Sequence, residues 1–61
     1  MNKVVEILMK RDNIDQTIAE ALVAETRDEI MQLDNPMEAD SIISEYLELE
    51  PDYIFDILNF D

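Results

Sequence analysis

The sequence predicts an all-α fold, a compact bundle of three to four short helices, and three observations carry that prediction. Glycine is absent and only Pro36 and Pro51 interrupt the 61 residues, so nothing supplies the left-handed turns that tight β-hairpins prefer. Apolar residues recur at helical spacing rather than alternating. The connections between the helical stretches run to about two to four residues, short enough to fold neighbouring helices back on one another. A chain of this size buries only about 60 per cent of its unfolded surface, which is enough for one core, and residues 1–61 are read as a single small helical domain.

The first helix is expected over residues 3–11, with Val4, Ile7 and Leu8 facing inward between Val5 and Met9. Glu6 stands four residues before Lys10, the favourable order for an intrahelical ion pair. Lys10 and Arg11 fall where a helix C-terminus favours cations. Asn13 is the residue available to take a left-handed conformation in the turn that follows. The second helix, residues 15–33, starts on Asp15 as its N-cap, with Ile14 placed to staple against Ala19. Ala19, Leu22, Val23, Thr26, Ile30 and Leu33 share its inner face, and Glu20, Arg27 and Asp28 lie away from it.

Asn35-Pro36-Met37-Glu38 is the clearest local signal: a cap residue, proline at the first helical position and glutamate at the third. The third helix is expected over residues 36–48, presenting Ala39, Ile42, Ile43, Tyr46 and Leu47 inward and Glu38, Ser41, Glu45 and Glu48 outward. Pro51 disfavours helical geometry at Glu50 and opens the fourth helix, residues 51–58. There Asp52, Asp56 and Asn59 make one narrow polar stripe, while Tyr53, Ile54, Phe55, Ile57 and Leu58 cover the rest. A helix so apolar is expected to be buried on more than one side, completing the core, unless part of it meets a second molecule. Met9, Met31 and Met37 are read as gap fillers on or near apolar faces.

Charge narrows the function classes. Sixteen acids against four bases give −12, unevenly spread: residues 1–11 hold three bases against Glu6, and residues 12–61 hold fifteen acids against Arg27 alone. From Asp34 onward there are nine acids and no base. Such a surface repels nucleic acid and anionic membranes and attracts basic protein surfaces. A helix-turn-helix outline around residues 33–36 is therefore not read as a DNA reader, because Glu38, Asp40, Glu45 and Glu48 line the helix that would enter the groove. No apolar run approaches the roughly 20 residues a membrane span needs, so a cytoplasmic protein is expected.

Chemistry finds little to use. Histidine and cysteine are both absent, which removes the usual proton-transfer groups, nucleophiles and zinc ligands. Glu45 with Glu48, or Asp52 with Asp56, brings two carboxylates to one helical face, but a paired-carboxylate site also needs a cleft that so short a chain can hardly enclose. Asp12, Asn13 and Asp15 lack the alternating ligands, central glycine and closing glutamate of a calcium loop. The reading is no enzyme, no cofactor and no metal.

Leu47-Glu48-Leu49-Glu50-Pro51-Asp52-Tyr53-Ile54-Phe55-Asp56-Ile57-Leu58 resembles the closing motif of short acidic uncharacterised proteins of tailed phages and bacterial mobile elements, a likeness that extends over nearly the whole length. Ala19-Glu20-Ala21-Leu22-Val23 followed by acids is similar to their second helix. Their usual pattern has glycine where this chain has Asn13 and Glu48. The resemblance implies a small accessory protein made in a bacterial host cell, and it carries no activity with it.

The sequence thus points to a non-enzymatic protein-interaction module that binds a basic surface on a host protein, which can itself be a nucleic-acid-binding protein. The residues expected to carry the contact are Glu45, Tyr46, Glu48, Glu50, Asp52, Tyr53, Phe55, Asp56 and Phe60, aromatics bounded by acids. Two alternatives stay open: a nucleic-acid mimic that occupies a DNA- or RNA-binding protein, and a structural homodimer seamed by the last helix.

Overall fold

A computed structural model describes residues 1–60, apart from the side chain of Pro36. Its elements are α1 (Lys3–Asp12), α2 (Gln16–Met31), a 3-10 turn (Pro36–Glu38) leading into α3 (Ala39–Leu47), and a second 3-10 turn (Pro51–Tyr53) leading into α4 (Ile54–Leu58). Among the described residues there is no strand. The all-α bundle expected from the sequence is the fold. Its radius of gyration, 10.7 Å, matches the roughly 10.5 Å of a compact chain of this length.

Local chemistry sets the ends of the helices. Asn2 caps α1, its Oδ1 accepting from the amides of Val4 and Val5 at 2.8 and 3.3 Å. Asp15 caps α2, accepting from the Ile18 amide at 2.9 Å. Asn35 Oδ1 accepts from the Met37 amide at 3.1 Å, whereas the reciprocal bond from the Glu38 side chain is not formed and the first turn is 3-10. Asn13 closes α1 in the left-handed region, with φ 54°, as expected. Glu48 closes α3 in the same region, with φ 53°. Asn13 and Glu48 are the two left-handed residues among those described, a conformation that glycine enters without steric cost.

Every helix contributes to one core: Val4, Val5 and Leu8 from α1, Ala19 and Val23 from α2, Ile43 and Leu47 from α3, and Ile57 from α4. The longest helix, α2, touches α1, α3 and α4. Thr26 is fully buried on it and donates its hydroxyl to the Leu22 carbonyl at 2.8 Å, so the buried polar group has a partner.

Several inward and outward assignments differ from the sequence expectation. Tyr46 is 42% exposed rather than inward. On α3 the buried line is Ala39, Ile43 and Leu47 at four-residue steps; Ile42 and Tyr46 flank it, and only Ile42 is half-buried. Met31 and Met37 fill no gap, being exposed on either side of the α2–α3 connection, while Met9 packs against the core. Glu6 and Lys10 form no ion pair. On α4, Phe55 is 74% exposed and Leu58 40% exposed, so that helix is buried along one edge instead of around its circumference. The cause is its length: five residues plug the space beside α1, α2 and α3 with Ile57, and no described residue reaches over the opposite edge.

Candidate functional site

The residues expected to carry a contact divide into two groups by the way the C-terminal segment is seated. Its inner side is tied to the helices by the bases. Asn2 Nδ2 donates to the Asp56 carbonyl at 2.7 Å, joining the start of α1 to α4 and leaving Asp56 half-buried. Lys3 Nζ lies 5.9 Å from the centre of the Tyr53 ring. Arg27 crosses from α2 to the segment, donating from Nη1 to the Phe60 carbonyl at 2.6 Å, with its guanidinium carbon 5.8 Å from the Phe60 ring centre. Arg11 Nη1 donates to the Glu48 carbonyl at 3.1 Å. Tyr53 and Phe60 are accordingly half-buried against the core and belong to the fold.

A pattern links these contacts. The guanidinium groups of Arg11 and Arg27 meet carbonyls just beyond the last turns of α3 and α4, where a helix presents the negative end of its dipole. The arginines of α1 and α2 therefore serve the helix ends of the acidic half. Lys3 meets the Tyr53 ring instead of a carbonyl, and Lys10 makes no hydrogen bond, ion pair or ring contact among the described residues. The sequence had placed Arg27 away from the core face; its long side chain instead runs along the surface to the segment.

The outer group faces solvent. Along residues 51–59, Pro51, Asp52, Phe55, Leu58 and Asn59 are all exposed. Glu45, Glu48 and Glu50 are exposed at and beyond the end of α3. Tyr46 stands on a separate part of the surface, where α2 adjoins α3. There Glu29 first, then burial, Glu25 and Glu45 push its phenol above the ordinary tyrosine value, because ionising it adds a negative charge beside three others.

Ion pairing is sparse. Asp61 lies outside the described residues, and of the other fifteen acids only Asp12 and Asp28 have a base within 4 Å, each the arginine that immediately precedes it. Arg11, hydrogen-bonded to Asp12, holds that carboxyl below its usual range. No described ion pair joins two helices. Among the described residues there is also no pocket, no cluster of acids arranged to hold a metal ion, and no helix long and apolar enough to cross a membrane.

Of the nine residues singled out, the structure thus keeps Tyr46, Glu45, Glu48, Glu50, Asp52 and Phe55 at the surface and turns Tyr53 and Phe60 inward, with Asp56 between the two. Leu58 was missed. Its apolar character assigned it inward, and only the short reach of the neighbouring helices exposes it. No protein-family model, curated protein or solved structure matches the chain.

Proposed function

We propose that the chain is a small acidic, non-enzymatic interaction module that binds a basic surface on another protein. The observation that supports this reading is the imbalance of pairing: thirteen of the fifteen described acids lack a base within 4 Å, while Lys3, Arg11 and Arg27 are engaged by rings and carbonyls of the chain itself. Exposed carboxylates without counter-charges raise the local concentration of cationic surfaces and speed their encounter. The resemblance of the closing motif supports reading such a module as an accessory protein of a phage or mobile element, acting in the cytoplasm of a bacterial host.

Capture from a bacterial lysate on the immobilised protein, with stepwise salt elution, followed by titration of the recovered protein in pure form, tests the proposal. The expected result is a basic protein held at low salt, released as salt rises, and binding one-to-one when purified. Competition by excess DNA for the same partner would convert the reading to a nucleic-acid mimic. Failure to retain any basic protein at low salt, together with a dimer by light scattering, would replace it with a structural homodimer.

A further inference from the structure

The four aromatic rings of the chain are treated unequally. Tyr53 and Phe60 each face a cation supplied by the bundle, at 5.9 and 5.8 Å. Phe55 has no such neighbour and is 74% exposed, with Leu58 one turn further along the same face. Nothing in the fold accounts for a large apolar pair in that position, since α4 is anchored by Ile57 on its opposite edge and by the bond from Asn2 to Asp56.

We infer that the outer face of α4, built on Phe55 and Leu58 with Asp52 at its edge, is the docking site for a basic amphipathic helix of the partner protein. This rests on the acidic-module reading and specifies where and how that module makes contact. The apolar pair supplies the anchor: an aromatic and an aliphatic side chain at i and i+3 match an apolar stripe on a facing helix. Charge selects the occupant. Glu50 and Asp52 are the exposed charges where this face begins, and residues 34–60 contain no base, so lysines or arginines flanking the apolar stripe of a helix laid there are favoured. The exposed ring of Phe55 offers a face to one of those cations, the arrangement its neighbours Tyr53 and Phe60 already make within the chain. A second copy of the chain is a poor occupant, because it would bring another net −12 to the same face.

Two synthetic helical peptides with the same lysines test this, one carrying leucine and the other serine at the remaining positions of one face. Each is titrated into isotopically labelled protein at about 150 mM salt, where exposed charges more than roughly 8 Å apart are screened. The leucine peptide is expected to shift the amides of residues 52–59 most, and Phe55→Ala combined with Leu58→Ala should weaken it at least about tenfold. The serine peptide should bind more weakly and equally to both proteins. The wild-type shift map is independent of the substitutions, so loss of folding in the variant cannot imitate the result. Shifts centred on Tyr46, or a variant that binds the leucine peptide as tightly as the wild type, would overturn the site while leaving the acidic module intact. Binding of neither peptide even at low salt would overturn both.

Discussion

The inner and outer faces of the C-terminal segment are made of similar residues and have opposite fates. Tyr53, Ile57 and Phe60 turn inward, where Ile57 is fully buried and both aromatics meet a cation. Phe55 and Leu58, equally apolar, face solvent. The difference teaches that in so short a chain burial is limited by the surface available to cover a residue as much as by its hydrophobicity. Once α1, α2 and α3 have together covered one edge of α4, no described residue is left to cover the other.

The sharpest way to break this comparison is truncation on each side. Ile57→Ala removes a fully buried side chain from the only core position that α4 supplies, and should cost about 2 to 5 kcal/mol, enough to unfold much of a small domain. Phe55→Ala, two residues away on the exposed face, should change stability by less than about 0.5 kcal/mol. Denaturant titration followed by circular dichroism measures both, and comparable losses would show that the outer face is part of the core.

The latch between the first and last helices comes next. Asn2→Ala removes an N-cap accepting from two amides and the donor to the Asp56 carbonyl, a combined loss of about 1 to 2 kcal/mol. Asn2→Asp keeps the cap and loses only the donor, so it should recover about half. Asn2→Asp as stable as the wild type would mean that the link to α4 contributes nothing, and Asn2→Asp no more stable than Asn2→Ala would mean the same of the cap.

A gain is expected at the turn that leads into the segment. Glu48 holds a left-handed conformation that costs a residue with a Cβ about 1 kcal/mol, and Arg11 contacts its carbonyl rather than its carboxylate. Glu48→Gly should therefore raise stability by about 0.5 to 1 kcal/mol with the Arg11 contact retained. Asn13→Gly should gain less, since asparagine tolerates this region. A loss of stability in Glu48→Gly would show that the carboxylate has a structural role.

The smallest effect concerns Tyr46, which the inner and outer faces of the segment leave aside. Its phenol is raised by Glu29 above all, so the neutral form is the one the folded state favours. The resulting stability is complete below the unfolded tyrosine value of about 10 and is lost as pH rises through the higher folded value. Unfolding midpoints of the wild type and Tyr46→Phe should stay parallel up to about pH 9 and diverge above it, with the wild type falling faster. Ultraviolet titration locating Tyr46 ionisation at or below the ordinary value would contradict this.

The sequence by itself determined the helices, the caps at Asp15 and Asn35 and the turn at Asn13, because these depend on residues within one turn of each other. Asn2 was the local signal overlooked: it caps α1 one residue before the helix begins. The inner face of α2 was equally legible, since a long stretch at 3.6-residue period defines a direction; on α1 Val4 and Leu8 were read correctly, but Val5 rather than Ile7 completes the buried face. The buried line of α3 could be read except at Tyr46, which sits at the edge of the apolar arc where a neighbour's position decides the outcome.

Only the tertiary structure decided which edge of α4 is covered, that Leu58 joins Phe55 outside, and that Lys3, Arg11 and Arg27 hold the last segment. Five residues span barely more than one turn, so their periodicity cannot fix a face. The base contacts join residues 33 to 50 positions apart, aimed at carbonyls and rings rather than at acids, whose targets no charge pattern reveals. Local capping and periodicity are written residue by residue; the seating of a short helix is a property of the surfaces that the rest of the chain has left open.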